Sequence, residues 1–274
     1  IMTQLLFGNS DSAITVNVDS VVSNWRYMDH LSSPRTKTAA MVKADGYGLG
    51  SVAIATALAN AGCQIFFVAS LQEAINLRKK ITSEKYKCLS IIVLHGIQEG
   101  QEEDFLKHQI IPTLNNLDQI SIWQNFANKT EEKLSGLLHF DTGMSRLGLD
   151  NDQTKWIIRN KHVIDGLNIH YIMSHLVSSE QRNDPKNQRQ LVDFTEIHKC
   201  FSESPASLAN SAGIILGKAF HFQMTRPGIA LYGVNPCSDP ALPLKPVFNW
   251  QGRILQVRNA KAGDKVGYGG TYEL

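Results

Sequence analysis

The chain has 274 residues, enough for one large α/β barrel or a barrel with part of a second domain. Hydrophobic residues make up 43% and charged residues 19%, so a substantial core can be buried and disorder is not expected. The net charge is +2 and the 27 basic residues form no polybasic block, which gives no reason to expect nucleic acid or a membrane as partner.

Short apolar runs of strand type alternate with longer amphipathic stretches. Ala13 to Val18 reads as a first strand, with Asp19 capping the helix that follows. Thr38 to Lys43 reads as a second strand, followed by a helix over Ser51 to Ala61 that Gly62 ends. Ile65 to Ala69, Leu89 to Leu94 and Ile110 to Leu114 are further strands, with helices over Gln72 to Lys80 and Leu117 to Asn128. Leu134 to Phe140, Leu167 to Met173 and Pro205 to Leu208 complete the set, before a helix over Ala212 to Leu216. Eight strands alternating with helices predict a parallel (β/α)8 TIM-type barrel over an open, doubly wound sheet.

Three prolines between Pro236 and Pro243 mark a linker. Beyond it, Val247 to Val257 and Lys265 to Tyr272 read as strands joined by a turn at Ala262-Gly263-Asp264. Two strands cannot stand alone. The expected organisation is therefore a barrel over 1–240, its opening residues open to association with the second unit, and the start of an incomplete, mainly-β domain over 241–274.

Cys63, Cys88, Cys200 and Cys237 form no C-x-x-C pair and read as reduced thiols. No secretory signal is recognisable, and no apolar run approaches the ~18 residues of a membrane span, so a cytoplasmic protein is expected. No metal is expected.

The most informative stretch is Val42-Lys43-Ala44-Asp45-Gly46-Tyr47-Gly48-Leu49-Gly50. An apolar run ends in a lysine, and a glycine-rich turn carrying one tyrosine follows. A lysine at a strand end, out of bulk water, can lose its proton and attack an aldehyde. Pyridoxal phosphate is held by lysines in this way, as a Schiff base. A surface lysine before an ordinary turn is the plain alternative. Other polar residues also gather at predicted strand ends: Asp141 and Arg146, His175, Asn210 and Ser211, Arg226 and Gly228. In a barrel, that end is where chemistry collects. The glycines do not make G-x-G-x-x-G, which argues against a dinucleotide.

Six segments together resemble the alanine racemases, in that family's order: the Lys43 segment, His139-Phe140-Asp141-Thr142-Gly143-Met144-Ser145-Arg146-Leu147-Gly148, Met173-Ser174-His175-Leu176, Ala209-Asn210-Ser211-Ala212, Arg226-Pro227-Gly228-Ile229-Ala230-Leu231-Tyr232-Gly233 and Val266-Gly267-Tyr268-Gly269-Gly270-Thr271-Tyr272. The resemblance implies a homodimeric enzyme interconverting L- and D-alanine on pyridoxal phosphate for peptidoglycan. Lys43 would hold the cofactor and act as one base, and Tyr268 of the partner subunit would be the other. Two bases on opposite faces are what inversion requires. Tyr47, Arg146, His175, Asn210, Ser211, Arg226, Gly228 and Ile229 would contact the cofactor, Arg146 the substrate as well. Ser211 would open a helix whose N-terminus suits a phosphate. An arginine at the ring nitrogen cannot give up its proton, which favours racemisation over transamination.

Two departures stand out. His139 replaces a lysine that many racemases carbamylate to support the arginine, and Ser207 replaces a histidine that supports the next one. The resemblance also implies that the rest of the β-domain is missing, so a chain that truly ended at Leu274 would be weakly active or inactive and a poor dimer. Alternatives are a non-catalytic pyridoxal-phosphate-binding barrel, a racemase of lysine or serine, or a decarboxylase, which the Arg226 segment disfavours.

Overall fold

The structure, a computed structural model, describes residues 10–81, 83–237 and 242–274. It divides into two compact units: Asn17–Val247, and the described residues of Ile1–Val16 together with Phe248–Leu274. The boundary expected between 240 and 241 lies outside the described residues.

In the larger unit the strands are short and mostly buried on both faces, as parallel strands covered by helices must be. They are β2 (Lys37–Thr38), β3 (Ala40–Met41), β4 (Ile65–Val68), β5 (Ser90–Val93), β6 (Ile110–Leu114), β7 (Leu134–His139), β8 (Leu167–Met173), β9 (Ala206–Ser207) and β10 (Met224–Thr225). A seven-stranded parallel sheet runs β3-β4-β5-β6-β7-β8-β9, and β10 pairs in parallel with β2. Only Ala39 separates β2 from β3, so the two make one stave. Its amide donates to Thr225 O (2.9 Å), and Met41 N donates to Pro227 O (3.2 Å). On the other side of β10, Gln223 N donates to Ala206 O (3.0 Å) and Arg226 N to Ala209 O (2.9 Å). These bonds seat β10 between β9 and the first stave and close the TIM-type barrel. Met41, Phe67, Ile92, Leu137, Met173 and Met224, from six staves, meet inside it.

The expected first strand, Ala13 to Val18, is corrected. β1 (Ser12–Val16) belongs to the smaller unit, where it pairs antiparallel with β11 (Phe248–Gly252). A half-exposed β-branched run reads the same whichever sheet it joins. The stave it was expected to supply is β10, whose two residues are too few to show a period. Asn17, not Asp19, caps the helix Val18–Leu31, its side chain accepting from Ser20 N. The hairpin expected around 262–264 is also corrected: β12 (Lys265–Val266) pairs with β13 (Tyr272–Glu273), and β11 pairs with β1. Among the described residues no helix is long and apolar enough to cross a membrane.

Candidate active site

The C-terminal ends of the staves open into a cleft of about 780 Å³ in the larger unit, lined by residues that include Lys43, Tyr47, His139, Arg146, His175, Asn210, Ser211, Arg226, Gly228 and Ile229. Of the residues singled out in the sequence as cofactor or substrate contacts, all meet here. Tyr268 does not belong to this set; it lies in the smaller unit, in the short turn Tyr268–Gly270, with its side chain fully exposed.

Lys43 leaves β3 into a turn that winds left-handed: Ala44, Asp45, Gly46 and Tyr47 have φ of 51°, 50°, 64° and 56°. For L-residues this conformation costs about 1–2 kcal/mol each, so the turn needs outside support. Gly46 N donates to Val42 O (2.9 Å), Gly48 N to Ala44 O (2.8 Å) and Gly50 N to Asp45 O (2.8 Å). The Asp45 carboxylate accepts from Ser51 N (2.9 Å) and Ser51 Oγ (2.8 Å) at the start of the next helix. Lys43 itself is half-buried. Burial, then the nearby Arg146 charge, lowers its pKa, while Glu73 raises it.

Arg146 rides on the loop 141–148, which is pinched at its base: Asp141 N donates to Leu149 O (2.9 Å) and Leu149 N to His139 O (2.7 Å). The Asp141 carboxylate gathers the amides of Gly143, Met144 and Ser145. His139 is buried and bonds through Nδ1 to Asn115 Oδ1 (2.8 Å). Asn115 Nδ2 donates to Leu94 O and Thr113 O, so its Oδ1 is the acceptor and the His139 Nδ1 carries the proton. Burial and then the Arg226 charge lower both His139 and His175 to about 3. Both imidazoles are therefore neutral at physiological pH.

Arg226 is almost fully buried. Nη1 donates to Ser207 Oγ, and Nη2 to Ser174 O and, at 3.4 Å, to Leu208 O. Ser207 thus makes the supporting contact at the position where the family pattern led one to look for a histidine. None of these acceptors is a carboxylate, and Arg226 Nε is buried with no hydrogen-bond partner among the described residues. A donor left in that state costs about 1–3 kcal/mol. An acceptor supplied by a ligand would satisfy it.

Asn210 caps the helix Ser211–Leu216, its Oδ1 accepting from Gly213 N (2.8 Å). Ser211 Oγ accepts from Gly228 N (2.8 Å), tying the segment after β9 to the one after β10. Ile229 opens the turn Ile229–Tyr232, a position whose N–H has no acceptor within its own turn. Gly228 leaves room for Tyr47: a Cβ there would lie 2.5 Å from Tyr47 Oη, so one of the two would have to shift. Tyr47 packs on Tyr232 with ring centroids 4.4 Å apart. Among the described residues three cations, Lys43, Arg146 and Arg226, share the cleft with one acid, Glu180, so it suits an anionic ligand.

Sequence reasoning missed Glu73 and Gln190, which brace these loops. Ser70-x-x-Glu73 is a capping-box spelling that could have flagged the first. Asp184-Pro185 is a helix-start spelling that could have flagged the helix carrying the second.

The alanine racemase N-terminal domain family matches residues 16–236. The alanine racemase of Rickettsia bellii (strain RML369-C) is 42% identical over 234 residues, 85% of this chain and 56% of that protein. That of Rickettsia canadensis (strain McKiel) is 39% identical over 259 residues, 94% of this chain and 70% of that protein. Among solved structures, alanine racemase from Bartonella henselae with covalently bound pyridoxal phosphate has a TM-score of 0.89 at 38% identity, covering 96% of this chain and 72% of that one. The biosynthetic alanine racemase from Pseudomonas aeruginosa has a TM-score of 0.84 at 27% identity, covering 96% and 72%. The chain thus spans little more than half of the R. bellii relative.

Proposed function

Because the chain belongs to the alanine racemase family, we propose that it interconverts L-alanine and D-alanine with pyridoxal 5′-phosphate as cofactor. The observation that carries this reading is the half-buried Lys43 amine sharing one cleft with Arg146 and Arg226, whose Nε has no acceptor among the described residues.

The residues present fit the cofactor. Arg226 Nε–H suits an unprotonated ring nitrogen, and the groups that hold the guanidinium are a hydroxyl and two carbonyls. Tyr47, Asn210, Ser211, Gly228 and Ile229 would hold the phosphate. Ser211 Oγ already takes the Gly228 amide, so that glycine's main contribution is room for Tyr47, and the Ile229 N–H is the backbone donor on offer. His175, neutral, would lie against the ring. When bound, pyridoxal phosphate supplies the electron sink that makes the substrate Cα–H acidic.

The chain's own groups do the rest. The lowered pKa of Lys43 favours its neutral amine, the form able to bond the aldehyde and then to take or return a proton at Cα on one face. The Arg146 guanidinium suits the substrate carboxylate and the ring oxygen. Tyr268 of the partner subunit would serve the opposite face, in a homodimer. Its support is the family resemblance and the full exposure of the phenol, which leaves it open to another copy. D-Alanine made in the cytoplasm would feed cell-wall synthesis.

The test is to supply pyridoxal phosphate and L-alanine and follow D-alanine by chiral analysis, with L-lysine and L-serine in parallel. D-Alanine as the dominant product supports the reading. Racemised lysine or serine without D-alanine would replace it with the neighbouring specificity.

A further inference from the structure

The helix Pro185–Cys200 carries Gln190, whose side chain is 2% exposed. Gln190 Oε1 accepts from Val177 N (2.9 Å), and Nε2 donates to His175 O (3.0 Å) and to Thr142 Oγ1 (3.2 Å). The amide orientation is thereby determined: turned over, it would set an oxygen against the His175 carbonyl and a donor against the Val177 N–H. Thr142 Oγ1 also lies 2.7 Å from Ser174 Oγ, and Ser174 O accepts from Arg226. One buried amide therefore joins the loop that carries Arg146 to the loop that carries His175. One turn earlier on the same helix, Asn187 Nδ2 donates to Ser178 O (3.3 Å) and Gln181 O (2.9 Å). Ser179 Oγ then donates to Asn210 Oδ1 (2.9 Å), so the loop so held reaches the segment after β9.

We propose that Gln190 is a positioning residue that fixes the Arg146 loop against the His175 loop, so that the two side chains face the cleft in one arrangement. Its kinetic consequence rests on the racemase reading; the coupling of the two loops does not.

The experiment has two arms, so that failure of one reading can be told from failure of the other. In the first, native-state hydrogen exchange is compared between the native protein, Gln190→Met and Thr142→Val. Exchange at Val177 and at Gly143, Met144 and Ser145 rises by about tenfold in both variants, and the helix Ser51–Asn60 is unchanged. In Thr142→Val, a rise confined to Gly143, Met144 and Ser145 overturns the coupling. Thr142→Val keeps this arm decisive if Gln190→Met does not fold.

In the second arm, kcat for alanine falls by about 10–100-fold in Gln190→Met at every pH, as misplacing groups that hold a substrate does. Gln190→Glu retains one donor while its carboxyl is protonated. Its kcat falls further as pH rises and the ionised oxygen faces the His175 carbonyl, a limb absent from the native profile. Native kcat and pH profile in both variants, with both loops exchanging faster, overturn the positioning role. Absence of D-alanine from the native protein counts against the activity alone, and the exchange arm still decides the coupling.

Discussion

Glu73 Oε1 accepts a hydrogen bond from the amide of Ala44 (3.2 Å), the residue next to Lys43, while its Oε2 accepts from Ala69 N (2.9 Å). One carboxylate thus ties the left-handed turn after β3 to the end of β4. It also opposes the burial that lowers the Lys43 pKa. Glu73→Ala should destabilise the protein by about 1–3 kcal/mol, read from urea unfolding. Glu73→Gln keeps an acceptor oxygen and loses the charge, so the Lys43 pKa drops further. The pH profile for Schiff-base formation with pyridoxal phosphate should move to lower pH. An unmoved or upward-moved profile would contradict this.

Gly228 and Tyr47 are matched by shape. Gly228→Ala would push a methyl to 2.5 Å from the Tyr47 hydroxyl, against a ring already packed on Tyr232, whose own hydroxyl donates to Met41 O (2.9 Å). The expected loss is about 1–3 kcal/mol of stability. In a Tyr47→Phe background the clash is relieved and part of that loss returns. Additive losses in this double-mutant cycle would show that the contact does not matter.

The two neutral histidines make the barrel mouth acid-sensitive. His139 and His175 are lowered to about 3 in the folded protein, by burial first, against ~6.5 when unfolded. Below ~6.5 the unfolded chain binds more protons than the folded one, so stability falls as pH falls, by up to about 1.4 kcal/mol per pH unit for each histidine. His139→Gln removes one titrating group and should flatten the curve of unfolding free energy between about pH 6.5 and pH 4. Parallel curves for the two proteins would be the contrary result.

Much of the barrel was legible because its strands are apolar runs closed by polar residues. Ile110–Leu114 and Leu167–Met173 fall where the sequence puts them. Lys43 was legible because a charge ends such a run, Arg146, His175 and Ser211 because they follow others, and Arg226 only through its likeness to a racemase segment. The illegible parts are tertiary. Ser12–Val16 and Met224–Thr225 are defined by their partners and not by any internal period. The helices Asn151–Arg159 and Pro185–Cys200 were not anticipated, and with the second went Gln190. Glu73 looks like a helix cap in sequence, and only the fold turns its carboxylate toward Ala44. Ser207 stood out only as a departure from the family pattern, and its bond to Arg226 is visible only in the fold.

The most direct test is chemical. The protein is loaded with pyridoxal phosphate, reduced with borohydride, digested and mapped by mass spectrometry, with Lys43→Ala beside it. A single pyridoxyl label on Lys43, absent from the variant, is the expected result. A label on another lysine, or no label on the native protein, would contradict the assignment of this cleft as the cofactor site.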